Sequence, residues 1–250
     1  MEAILYIGHG SRTQQGNKRF ASFIKEAMKL ADEPIKEYGF LENASPSIIE
    51  AAENCIHQGA NSLTVVPVLL LPGIHANEDI PAELSEVKKT YPHIKIKYGK
   101  PVGAHEKITG ILLDRLEEKG FKNSREEETV LLIGHGSRDK EAAAEFDRIA
   151  EQLGSKIAST VDTGFIVSEP YFNVKMQDIL KESRTKIYLV PFLLFTGRFT
   201  DKIEERASLV ASLYPGSEVV FCEPTGFDDR LMLVLNERID EAKKSQQIKG

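Results

Sequence analysis

Short runs of aliphatic and β-branched residues alternate along this chain with longer segments whose apolar positions recur at helical spacing. In the first half the runs at 3–7, 35–41, 63–71 and 94–98 have the length of strands. The segments 15–31, 46–58, 79–90 and 105–119 carry the helical pattern. From position 129 the alternation repeats, ending in a helical segment near 228–244. Strands alternating with helices predict right-handed βαβ crossovers and a mainly parallel sheet covered on both faces. Pro67 and Pro191 fall within two of the apolar runs. Proline removes a ladder donor, so each is expected near a strand start or a bulge.

The repetition extends to residue identity. Ala3–Arg12 (AILYIGHGSR) matches Thr129–Arg138 (TVLLIGHGSR) at an offset of 126, and Gly39-Phe40 matches Gly164-Phe165 at 125. Val66–Gly73 matches Val190–Gly197 at 124, and Tyr91-Pro92 and Pro101-x-Gly103 recur at 123. Ordered matches whose offset drifts by single residues indicate an internal duplication with small loop changes. The expected domains are 1–122 and 123–250, with the polar stretch 122–128 as linker. Each is expected to be a doubly wound parallel α/β domain of flavodoxin-like strand order.

Composition narrows the function. The chain is 41% hydrophobic and 28% charged, with no apolar run near the roughly 20 residues of a membrane span. A net charge of −6, with Lys and Arg interleaved among Asp and Glu, argues against nucleic acid as a partner. Cys55 and Cys222 are the only cysteines, too few for a disulfide framework or a multi-cysteine metal site. A cytoplasmic setting is expected, with no secretory signal at the start of the sequence.

In a parallel sheet the loops at the carboxyl ends of the strands open on one edge, where ligands bind. A strand order of 2-1-3-4 places His9, after the first strand, between Glu42 after the second and His75 after the third. Two imidazoles and a carboxylate on one edge suit a borderline divalent metal. His9 alone is equally compatible with a structural hydrogen bond at a strand end. Gly8 and Gly10 leave room around His9, and Ser11 or Thr13 is placed to cap the following helix. Arg12 is positioned to meet a ligand carboxylate, and Leu69–Ile74 supplies an apolar wall leading to His75. Glu78, Asp79 and Glu83 read as the acidic start of a helix.

In the second half His135 matches His9 and Glu169 falls near the place of Glu42, whereas Phe199 stands where His75 would be. That half is expected to keep the scaffold without the metal chemistry, its Arg198 and Lys202 offsetting acidic groups on a ligand. Phosphate-cradle, phosphohistidine-phosphatase and serine-hydrolase readings of Gly-His-Gly-Ser-Arg lack the required spacing or partners.

Gly8–Arg12, Phe40-Leu41-Glu42, Val66–Leu71 and His75-Ala76-x-x-Asp79-Ile80-Pro81 together resemble the class II chelatases, most closely the two-domain bacterial sirohydrochlorin chelatases. The resemblance implies two pseudo-symmetric α/β domains facing a central cleft for a tetrapyrrole. It also implies insertion of a divalent metal without nucleotide hydrolysis, using His9 and His75 as the paired histidines and Glu42 as their acidic partner. The implied partners are sirohydrochlorin and the substrate metal, with no other cofactor. Fe²⁺ is favoured because the polyhistidine tail and iron–sulfur cysteines of some cobalt members are missing, and Co²⁺ is the alternative. A non-catalytic carrier of metal or tetrapyrrole is a rival reading, and the oligomeric state is open between monomer and homodimer.

Overall fold

A computed structural model describes residues 1–123, 128–182 and 186–244. The expected linker at 122–128 lies partly outside the described residues. The first sheet contains β1 (Glu2–Gly8), β2 (Ile35–Phe40), β3 (Ser62–Pro67) and β4 (Lys95–Tyr98). All its pairs are parallel and the order is β2-β1-β3-β4. The first-half helices are α1 (Gln14–Ala27), α2 (Ile48–His57), α3 (Ile80–Thr90) and α4 (Glu106–Glu117). The second sheet repeats the arrangement with β5 (Glu128–Gly134), β6 (Thr160–Phe165), β7 (Lys186–Pro191) and β8 (Glu218–Phe221), in the order β6-β5-β7-β8. Its half contains α5 (Lys140–Gly154), α6 (Phe172–Lys181), α7 (Arg198–Ala211) and α8 (Arg230–Lys244). The doubly wound parallel fold expected from the alternating pattern is present in both halves.

Strand β1 reads as a continuous apolar run because both of its faces are covered. Ala3, Leu5 and Ile7 pack with Ile48, Ala52 and Cys55 of α2 and with Ile80, Leu84 and Val87 of α3. Ile4 and Tyr6, equally buried, point to the opposite face. Local signals set the helix starts. Thr13 caps α1 by accepting from Gly16 N at 3.1 Å. Ser47 and Glu50 form a reciprocal capping box at α2, with bonds of 3.2 and 2.7 Å.

Pro67 and Pro191 each lie at the last position of a strand, not near its start. Amides along a parallel strand alternate between its neighbours. Val68 N donates to Ile7 O in β1 at 2.7 Å, so position 67 faces the β4 side. There Gly99 N donates to Val65 O at 2.8 Å, one residue after Tyr98 pairs with Val65, so the proline stands where the β3–β4 ladder ends.

The duplication and the compact units divide the chain differently. One unit comprises Met1–Gly103 and the segment from Asp229 onward; the other is Ala104–Asp228. Thus α4 follows β4 in sequence but packs with α5 and β7, whereas α8 packs with α1, β3 and β4. An arginine on each exchanged helix holds a Pro-x-Gly loop of its host unit. Arg238 donates to Pro101 O and Val102 O at 3.0 and 2.6 Å, and Arg115 donates to Pro224 O at 3.1 Å. The repeat boundary near 122 therefore marks the duplication, while the packing boundaries fall after Gly103 and Asp228.

This exchange predicts where damage in α8 is felt. Leu235 is 1% exposed, and Leu235→Ala should cost about 2–5 kcal/mol through lost burial and a residual cavity. Hydrogen exchange should show amides of β3 and β4 losing protection before those of β5 and β7, although residue 235 follows all four strands in sequence.

Candidate active site

The loops that leave β1, β2 and β3 meet at one edge of the first sheet. Beyond the strands, Leu41 N donates to Gly8 O at 2.9 Å and Glu42 N donates to His9 O at 3.0 Å. The β2 loop therefore runs beside the β1 loop and brings Glu42 next to His9. Gly10 permits this approach: its φ is +91°, and a Cβ there would lie 1.7 Å from Glu42 O. Gly8 is required for a different reason, since a Cβ would meet the Phe20 ring at 2.5 Å. Ser11 and Asn17 exchange two hydrogen bonds of 2.7 and 2.8 Å, pinning the rest of the loop to α1.

His75 is delivered by a longer path. After β3, Leu69 O and Leu70 O accept from Val102 N and Gly103 N, both at 2.9 Å. The expected apolar wall at 69–74 is half-buried up to Gly73, with Ile74 exposed. His75–Asp79 then form one π-helical turn ahead of α3. Tyr98 Oη donates to Ala76 O at 2.7 Å and anchors that turn from β4. Burial pushes the Tyr98 phenol well above its ordinary pKa, so it stays a donor.

These paths place His9 Nε2 3.1 Å from His75 Nε2, with the ring planes at 89°. The other ring nitrogens have acceptors. His9 Nδ1 lies 3.1 Å from Gly10 O and 3.5 Å from Glu42 Oε1. His75 Nδ1 lies 2.7 Å from Asp79 Oδ2. A carbonyl or ionised carboxylate can only accept, so each Nδ1 is placed to donate, and in that tautomer each Nε2 presents a lone pair to the other. Opposed lone pairs at this distance repel until a proton or cation lies between them. Metal–nitrogen bonds of about 2.1 Å separate two ligands by about 3.0 Å at a right angle and about 3.4 Å at a tetrahedral angle. The observed gap falls within that range. With 36% of the His9 side chain and 48% of His75 exposed, an ion can reach the pair from solvent.

Glu42 stands on the Nδ1 side of His9 and not beside the opposed Nε2 atoms. Among the described residues no three His, Cys, Asp or Glu side chains are grouped to hold a metal together. The structure thus brings together the two expected histidines and gives each an outer carboxylate. Asp79, expected only as an acidic residue at a helix start, is the partner of His75. Arg12 is exposed beyond the His9 loop; Arg198 and Lys202 lie in the first turns of α7 in the other unit.

The corresponding edge of the second unit keeps the frame and changes the chemistry. His135 and Phe199 stack edge-on with centroids 4.6 Å apart, against 4.5 Å for His9 and His75. Val167 N donates to His135 O at 3.1 Å, so Val167, not Glu169, occupies the place of Glu42. The offset of 125 set by Gly39-Phe40 and Gly164-Phe165 pairs Glu42 with Val167. The loop loses one residue only beyond that point, where the bridge after β6 joins Phe165 to Tyr171 as Phe40 joins Ser47, so Glu169 corresponds to Ser45. Phe221 lies where Tyr98 would be, and the anchoring hydroxyl is missing there.

Two doubly wound α/β units, each with a histidine at the end of its first strand, are the arrangement of a class II chelatase. The chain belongs to the CbiX family, whose sequence pattern matches it twice, at residues 3–119 and 129–242. It is 34% identical to a sirohydrochlorin ferrochelatase of Priestia megaterium over 96% of this chain and 90% of that protein. It is 32% identical to a sirohydrochlorin cobaltochelatase of the same organism over 98% of this chain and 81% of that protein. Among solved structures, SirB from Bacillus subtilis with Fe³⁺ superimposes with a TM-score of 0.88 at 31% identity, covering 96% of this chain and 95% of that one.

The close approach at Gly10 separates two sources of strain. Gly10→Ala must fit a Cβ against Glu42 O as well as adopt positive φ, whereas Gly120→Ala at φ +75° meets nothing within 4 Å. Chemical denaturation should show Gly120→Ala losing about 1–2 kcal/mol, the ordinary left-handed penalty, and Gly10→Ala clearly more.

Proposed function

We propose that this protein inserts Fe²⁺ into sirohydrochlorin to form sirohaem. The observation that carries the reading is the opposed His9 and His75 Nε2 pair, held open at 3.1 Å on an accessible edge. Family membership and the ferrochelatase relative support it.

Metallation breaks two pyrrole N–H bonds, forms metal–nitrogen bonds and releases two protons, with no change in oxidation state. His9 and His75 present neutral lone pairs to the incoming ion and strip part of its water shell. Their replacement by the ring nitrogens of the macrocycle completes the transfer. Glu42, half-exposed beside His9, receives a proton as general base and passes it to solvent. The half-buried 69–73 segment and exposed Ile74 offer an apolar surface to a flat macrocycle. Arg12, Arg198 and Lys202 are assigned to its peripheral carboxylates. No cofactor beyond the substrate metal enters this scheme. No helix among the described residues is long and apolar enough to cross a membrane.

Anaerobic insertion by purified protein is the test. His9→Ala and His75→Ala should each lower kcat about 100-fold or more towards the spontaneous background, since both remove a direct ligand. Glu42→Gln should lower kcat with KM little changed. Arg12→Ala, Arg198→Ala and Lys202→Ala should raise KM more than they lower kcat. Full insertion rates in both histidine variants would refute the site. Several turnovers per chain separate an enzyme from a carrier.

A second reading keeps the site and changes the ion. The cobaltochelatase relative covers nearly the whole chain at similar identity, and a nitrogen–oxygen edge suits Co²⁺ as well. Competition at equal free Fe²⁺ and Co²⁺ should favour iron; preference for cobalt would select this alternative.

A further inference from the structure

The two copies of the helix after the third strand differ by one residue, and the difference lies beside His75. His75 and Phe199 occupy equivalent places against His9 and His135. The next core positions are Ile80, fully buried in the first unit, and Ile203, 1% exposed in the second. Five positions separate His75 from Ile80, but only four separate Phe199 from Ile203. The extra residue is absorbed by the π turn His75–Asp79, closed by Ile80 N donating to His75 O. In the second unit α7 starts at Arg198 as regular helix. One inserted residue in a helix widens a single turn to i→i+5 bonding, and such turns recur at functional sites.

The insertion changes what lies on the same face as residue 75. In a regular helix the fourth residue onward shares that face, and in the second unit it is the core residue Ile203. In the first unit the widened turn lets Ile80 take the core seat at the fifth position. The fourth position is thereby free for Asp79, whose carboxylate meets His75 Nδ1 at 2.7 Å. Tyr98 bonds the same turn at Ala76 O and has no hydroxyl counterpart at Phe221.

We propose that Asp79 is a positioning residue that holds His75 in the Nδ1–H tautomer, so that its Nε2 lone pair stays turned towards His9. Without it, the proton on His75 can move to Nε2 and donate across the 3.1 Å gap to His9 Nε2. That hydrogen bond joins the rings and fills the position of an incoming ion. The carboxylate removes this option by offering Nδ1–H a better acceptor. An outer partner that fixes a ligand histidine in this way is typically worth about 10–100-fold in metal affinity. The proposal deepens the chelatase reading, but its primary readout needs neither tetrapyrrole nor metal.

Nitrogen NMR of the metal-free full chain, above the imidazole titration range, reports the tautomer of His75 directly. Wild type should show Nδ1–H; Asp79→Ala should shift His75 towards Nε2–H and weaken Co²⁺ binding by about 10–100-fold in calorimetry. Asp79→Asn keeps a carbonyl acceptor on a side chain of the same size and should restore most of the Nδ1–H signal and of the affinity. Asp79 is half-exposed, so both variants should retain the wild-type circular dichroism. An unchanged His75 tautomer in Asp79→Ala would overturn the proposal whatever happens to insertion. Conversely, full insertion by His9→Ala and His75→Ala would sink the chelatase assignment while leaving the tautomer result standing.

Discussion

A strand paired on both sides in a parallel sheet has no edge exposed to water. That constraint on β1 organises the first unit. Lying between β2 and β3, β1 is buried on both faces, and only its carboxyl end is free to carry chemistry. His9 leaves that end at the centre, with Glu42 reached from one side and His75 from the other. The backbone bonds from Leu41 and Glu42 to Gly8 and His9 continue the β1–β2 ladder past the strands, so the sheet itself sets the site.

The same constraint explains how the copies diverged without loss of fold. Buried positions exchange size and type between the copies, Leu132 for Tyr6 and Tyr188 for Thr64 among them, and three further changes lie at the strand ends. Val167 stands for Glu42, Phe199 for His75 and Phe221 for Tyr98. The backbone bonds at the first and third of these positions persist, as Val167 N to His135 O and Cys222 N to Leu189 O. Phe199 even preserves the edge-on packing against its histidine, which keeps the frame intact while deleting the ligand nitrogen.

Periodicity carried much of this. Alternating strands and helices implied the parallel sheets, and a doubly wound order implied that residues 9, 42 and 75 share an edge. What periodicity did not carry depends on a single residue or on distant packing. Asp79 reads as an ordinary first-turn acid because a π turn leaves no compositional mark; only the change in repeat offset from 124 to 123 betrays the insertion. Glu169 lies two residues past the edge position, which the offset of 125 at Gly39-Phe40 gives to Val167. The placement of Glu42 at Nδ1 of His9 follows from a side-chain rotamer, beyond the reach of spacing. The crossing of α4 and α8 is equally silent, since each helix shows the same apolar stripe whichever sheet it covers.

That crossing has a consequence for how the molecule comes into being. A ribosome releases proteins from the amino end, and the first domain is ordinarily the first to fold. Here Ala104–Asp228 is contiguous and complete as soon as it emerges, but the unit bearing His9 and His75 lacks α8 until the last stretch of chain is made. The face of β3 and β4 that receives α8 stays uncovered until that helix is made. The unit bearing His9 and His75 therefore closes after its neighbour, and a nascent chain interrupted before residue 230 has both histidines without the helix that covers β3 and β4.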